Sequence, residues 1–161
     1  MNLQPADQPA EMIWGSLNAL AYVPSTLPGP AMRVLMHLMA IQEPGGRIVI
    51  TQNELAQEFN VNRSLITIAI QHLQFARLLR TQRRGVYQLN PMVAGYRTPV
   101  ESLAAIKNMP EDERLDSGDF EERYMQSVHA HNAAKEQKRR SGAKVTDIRR
   151  PRLRSVPAGK G

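Results

Sequence analysis

No cysteine occurs among the 161 residues. That absence removes disulfides, thiolate metal centres and thiol catalysis together, and makes an intracellular setting the expectation. Aromatic residues are scarce, at 5% of the chain with Trp14 the single tryptophan, so a core must be built mainly from aliphatic side chains. No apolar run approaches the ~20 residues that cross a bilayer, and no membrane partner is expected. The segment from Met1 to Glu11 carries two acids and neither lysine nor arginine, the wrong charge for a secretory leader. The localisation this suggests is cytoplasmic, beside the nucleoid. No cofactor is expected either: Gly45 and Gly46 are followed by no Lys-Ser/Thr pair, so a phosphate-cradling loop is missing.

What the chain does have is positive charge, +6 overall with a pI near 10.1. A basic balance favours a polyanionic partner. The charge is blocked along the chain. Between Gly29 and Thr98 eight arginines face three glutamates; between Glu111 and Glu122 seven acids face Arg114 alone; from Lys135 to Gly161 ten bases face two acids. These blocks read as a basic folded middle, an acidic hinge and a basic tail. The tail has few large apolar residues to offset its ordering entropy, and disorder is expected over 141–161.

Hydrophobic spacing predicts a short amphipathic helix from Ala10 to Tyr22 on Ile13, Trp14, Leu17 and Leu20, with a proline-rich linker closing the segment 1–28. A second helix spans Ala31–Ile41, with Met32, Leu35, Met36 and Met39 on one stripe and Val34, Leu38 and Ile41 on another. A helix apolar on two sides is buried or shared with a second subunit. The β-branched run Arg47–Ile50 reads as a strand. Thr51-Gln52-Asn53-Glu54 forms a capping box, opening a helix that turns inward Leu55, Ala56 and Phe59. After Asn60-Val61-Asn62, a helix capped by Asn62 runs to about Ala76 and buries Ile66, Ala69, Ile70 and Leu73. Strands follow over Leu78–Gln82 and Val86–Leu89, around the basic tip Arg83-Arg84-Gly85. Two helices on a three-residue turn, followed by a basic hairpin, make a winged helix-turn-helix domain over 29–98. The fold class expected is thus mainly α with a small β-hairpin. Beyond it, over 99–140, Thr98-Pro99-Val100-Glu101 caps a helix to Asn108. A last helix is expected from Asp119 to Ser141-Gly142, with a seam (Phe120, Tyr124, Val128) thin enough to suggest an arm docking on a partner.

The stretch Arg47 to Tyr96, "RIVITQNELAQEFNVNRSLITIAIQHLQFARLLRTQRRGVYQLNPMVAGY", resembles the RepL family of plasmid replication proteins. The likeness lies in "ITQNELA", in "VNRSLIT" and above all in Gly85-Val86-x-x-Leu89-Asn90-Pro91, over about fifty residues. It implies a DNA-binding winged helix tied to replication or maintenance of a plasmid-like element, working with host replication or transcription proteins.

In such a domain the recognition helix enters the major groove and its early residues reach base edges. Asn62, Arg63, Ser64, Thr67, Ile68 and Gln71 are therefore the candidate reading residues. Arg63 could grip guanine, Gln71 could pair with adenine, and Ile68 could touch a thymine methyl. Arg80, Arg83 and Arg84 of the wing, with Thr51 and Gln52 at the first helix, are candidates for the backbone. No catalytic or metal residue is assigned, and the chain is expected not to be an enzyme. His129-Ala130-His131 has the spacing of a nickase ligand pair, but the last tyrosine, Tyr124, precedes it. A homodimer is expected, since one such domain reads only a half-site. A transcription regulator with the same surface, or a protein–protein interaction module, are the alternatives.

Overall fold

The computed structural model describes residues 13–146, with side chains through residue 142. The chain divides into two compact units, one ending at Ser127 and the other beginning at Val128. It is mainly helical, with one small three-stranded antiparallel sheet. The elements in order are α1 (Gly29–Ile41), β1 (Arg47–Val49), α2 (Gln52–Phe59), α3 (Arg63–Phe75), β2 (Leu79–Arg83), β3 (Val86–Leu89), α4 (Pro99–Asn108) and α5 (Phe120–Thr146). Short 3-10 helices occur at Leu17–Tyr22 and Glu111–Glu113.

Local chemistry sets the helix ends. Pro30 in the first turn of α1 has no N–H to leave unsatisfied. The Thr51 hydroxyl accepts from the Glu54 N–H at 3.2 Å, while the Glu54 carboxylate accepts from the Thr51 N–H at 2.6 Å. Asn60 closes α2 in the left-handed region, φ 52°, which asparagine tolerates better than most residues. Two residues later Asn62 caps α3, accepting from the Leu65 N–H at 2.9 Å. Helix α3 packs on both α1 and α2, and Leu35, Leu38, Leu55, Ile66 and Leu73 are completely enclosed. Each such side chain stabilises the fold by about 1.5–3 kcal/mol over its exposed state.

The sheet order is β1-β3-β2. One cross-strand row is Ile48, Tyr87 and Thr81; its neighbour is Arg47, Gln88 and Arg80. Successive strand residues face opposite sides. The first row turns toward the helices: Ile48 and Tyr87 are buried and Thr81 accepts from the Gln74 amide of α3 at 2.8 Å. The second row therefore faces away. Gly85, at φ +75°, closes the hairpin, a conformation that L side chains adopt only with strain. Its carbonyl accepts from the Ile50 N–H at 3.0 Å, which ties the hairpin tip to the residues just before α2.

Several expectations need correction. Trp14 is not helical. It forms an antiparallel bridge with Tyr96, its N–H and C=O bonded at 2.6 and 2.7 Å, so the groups a helix would use are already paired. Only Leu17–Tyr22 of that segment winds, as a 3-10 helix; residues 1–12 lie outside the described chain. At α4 the Thr98 hydroxyl caps the Glu101 N–H as expected, yet the Glu101 carboxylate accepts from Arg97 instead of Thr98, leaving half a capping box. The first turns of α5 are no free arm: Tyr124 is buried, hydrogen-bonded to His72 at 2.8 Å, and Phe120 meets Tyr22 edge-on. Nor does α5 stop at Ser141-Gly142. It continues to Thr146, because a mid-helix glycine costs only about 1 kcal/mol and Ser141 returns its hydroxyl to the Gln137 and Lys138 carbonyls. The rest of the tail, 147–161, lies outside the described residues.

Candidate nucleic-acid interface

At about 100° per residue, the buried positions of α3 (Ile66, Ala69, Ile70, Leu73) define one side of the helix. Ser64, Ile68, Gln71 and Phe75 fall on the opposite side. Arg63, Thr67 and Gln74 fall on a flank between the two, and their contacts show which flank it is. The Thr67 hydroxyl donates to Gln52 of α2 at 2.8 Å, and Gln74 donates to Thr81 of β2. The flank faces the hairpin and the start of α2. Arg63 thus points along the sheet side, while exposed Ser64 and half-exposed Ile68 (50%) point straight out. Gln71 shares their side and is partly covered.

Between the start of α2, the start of α3 and the hairpin lies a cleft of about 420 Å³. It is lined by Thr51, Gln52, Asn53, Arg63, Thr81, Arg84, Gly85 and Tyr87. Two of these are cations, five others bear hydroxyl or amide groups, and none is acidic. Tyr87 is the buried residue of this lining. Burial pushes the Tyr87 phenol above its usual range, with the Gln52 side chain and the Arg63 charge acting in the other direction. The Glu54 carboxylate is engaged in the α2 cap, and the Thr51 N–H followed by the Thr51 hydroxyl holds it below its usual range.

Seven of the eight arginines of the basic middle divide into two sets. Arg47 pairs with Glu43 and Arg80 with Glu113, both at 3.0 Å; Arg77 donates to the Asp112 carbonyl; Arg33 lies over the Phe59 ring. For Arg63, Arg83 and Arg84, all exposed, no acidic partner occurs among the described residues. These three cations lie where α3 begins and the hairpin turns. Arg80 does not join it: it sits on the sheet face away from α3, held by the acidic 3-10 turn. Asn62 and Thr51 are caps whose side-chain oxygens are already engaged.

Sequence reasoning passed over Asn53, Thr81 and Tyr87, which complete the cleft. Strand alternation could have found the last two, since it sets Thr81 and Tyr87 on the α3-facing row beside Ile48. It gave Asn90 no structural role beyond its place in the Gly85–Pro91 likeness. Asn90 is buried, its amide donating to the Arg77 and Glu113 carbonyls at 2.9 and 2.8 Å and its oxygen accepting from the Met92 N–H at 2.9 Å. It holds the α3–β2 connection and the acidic turn in place. Among the described residues no cluster of histidine and carboxylate side chains could hold a metal ion, and no helix is long and apolar enough to cross a membrane. Comparison with protein families, with curated proteins and with solved structures finds no match to the chain.

Proposed function

We propose that the chain is a sequence-specific double-stranded DNA-binding protein of winged helix-turn-helix architecture, acting in replication initiation or maintenance of a plasmid-like element. One observation carries the DNA-binding part: three arginines with no acidic partner among the described residues, Arg63, Arg83 and Arg84, beside an α3 side that exposes Ser64 and Ile68. Cations that a fold leaves uncompensated at one edge are suited to phosphates, and an exposed helix side next to them is suited to base edges. The replication part rests on the resemblance over Arg47 to Tyr96. On this reading the protein recruits host enzymes and contributes recognition only.

Two copies would read two half-sites, and Trp14, Leu17 and Met36, at 55, 81 and 54% exposure, offer apolar surface for self-association. Sedimentation at micromolar concentration should give a dimer; a monomer with and without DNA contradicts that part. Genome-wide mapping of bound sites tests the function itself. Sites inside a replication origin support it, sites confined to promoters replace it with transcription regulation, and no retention of any genomic duplex at low salt overturns DNA binding.

A further inference from the structure

We infer that the cleft between α2, α3 and the hairpin is a phosphate clamp, in which Arg63 and Arg84 together hold one phosphodiester of the duplex backbone. This rests on the reading of the chain as a DNA-binding protein, and it moves Arg63 from reading a base to gripping the backbone. Direct readout is left to Ser64, Ile68 and Gln71.

Arg63 shares its flank of α3 with Thr67 and Gln74, and both of those are fastened to neighbouring elements at 2.8 Å. A side chain on that flank meets the hairpin before it meets a groove floor. Arg84 arrives from the other wall of the same cleft. Two guanidiniums on separate elements, with no carboxylate lining the space between them, repel each other until an anion enters. The remaining wall carries hydrogen-bonding groups, with the Thr81 and Tyr87 hydroxyls and the Gln52 and Asn53 amides around it, while the Thr51 hydroxyl serves the α2 cap. The hydroxyls and amide N–H groups of such a wall can donate to phosphate oxygens. The Ile50 N–H holds the Gly85 carbonyl at 3.0 Å, which favours this position of the hairpin. Arginine suits the task, since its planar fork matches two phosphate oxygens at once.

A free phosphoryl group and a backbone phosphodiester share this chemistry, so the test needs both. Affinity of the full chain is measured on a duplex selected by the protein from a random library and on its scrambled counterpart, at three salt concentrations. Wild type is compared with Arg63→Ala, Arg84→Ala, the double variant and Gln71→Ala. The clamp predicts that each arginine variant loses about tenfold on both duplexes alike. The plot of log affinity against log salt should flatten by about 0.9 for every phosphate no longer neutralised. The double variant should lose little beyond either single one, because both arginines hold the same phosphate. Gln71→Ala should weaken the selected duplex only. A neutral methylphosphonate placed at the clamped phosphate should erase the difference between wild type and Arg63→Ala. If Arg63→Ala weakens the selected duplex alone, with the salt slope unchanged, Arg63 reads a base and the clamp is wrong while DNA binding stands. If wild type binds no duplex but Arg63 and Arg84 side-chain resonances shift with inorganic phosphate, the site takes a free phosphoryl ligand and the backbone assignment is overturned. Binding of neither overturns both readings. Arg63 and Arg84 are exposed, so their removal leaves the core untouched, and unchanged thermal unfolding confirms it.

Discussion

Asn90 is the one buried polar residue among the described side chains, at 6% exposure, and it satisfies three backbone groups from three parts of the chain. Replacing it with alanine strands the Arg77 and Glu113 carbonyls and the Met92 N–H. Orphaned groups of this kind cost about 1–3 kcal/mol each where water cannot reach them. Asn90→Ala should therefore lower unfolding stability by about 2–4 kcal/mol in urea titration; a loss below about 0.5 kcal/mol, the low end for one ordinary hydrogen bond, contradicts the role given to it. The residue also marks what a sequence conceals. Thr51 and Asn62 were legible as caps because their partners lie three positions away. Two of the three partners of Asn90 lie 13 and 23 positions away, and no local pattern announces those two. Arg80 is a similar case: it reads as one more wing cation until the acidic turn reaches it from Glu113.

Helices α1, α2 and α3 and all three strands follow from periodicity and capping, with ends displaced by a residue or two. The first segment does not, because a non-local pairing, Trp14 with Tyr96, competes with helical spacing and wins. The same holds at the start of α5. A seam of Phe120 and Tyr124 looks thin in one dimension, yet Tyr22 and His72 complete it from distant parts of the chain. The cap of α2 carries a pH dependence whose sign is fixed. Hydrogen bonds from the Thr51 N–H and hydroxyl favour ionised Glu54 and hold its pKa below the usual glutamate range. A depressed carboxylate contributes stability above its ordinary pKa and loses it as pH falls through the lowered value. A carboxyl-detected NMR titration should give Glu54 a midpoint below the ordinary range. In Thr51→Ala the midpoint should move up part of the way, since the backbone N–H remains. A wild-type midpoint in the ordinary range contradicts the capping box.

Across the whole molecule, charge and not apolar surface separates the parts. In the basic middle Arg63, Arg83 and Arg84 have no acidic partner among the described residues, and the acidic turn neutralises Arg80. The second compact unit bears Lys135, Lys138, Arg139 and Arg140 on α5; of these, among the described residues, Arg140 alone is ion-paired, to Glu136 at 2.7 Å. Residues from Lys135 onward hold +8, so their contribution to DNA affinity should be electrostatic and indifferent to base sequence. Truncation after Ala134 should preserve the fold of the first unit, whose core ends before it. It should weaken selected and scrambled duplexes by similar factors and flatten the salt slope by about 0.9 for each phosphate the tail would have neutralised. An unchanged slope makes that segment a protein-docking arm instead. The central claim is sequence-specific recognition of duplex DNA, and the most direct measurement is the ratio of the intact protein's affinities for a library-selected duplex and its scrambled counterpart at physiological salt. The account predicts a ratio of about 10³ or more, in the range of specific DNA-binding proteins. Equal affinities, or no binding even at low salt, contradict it.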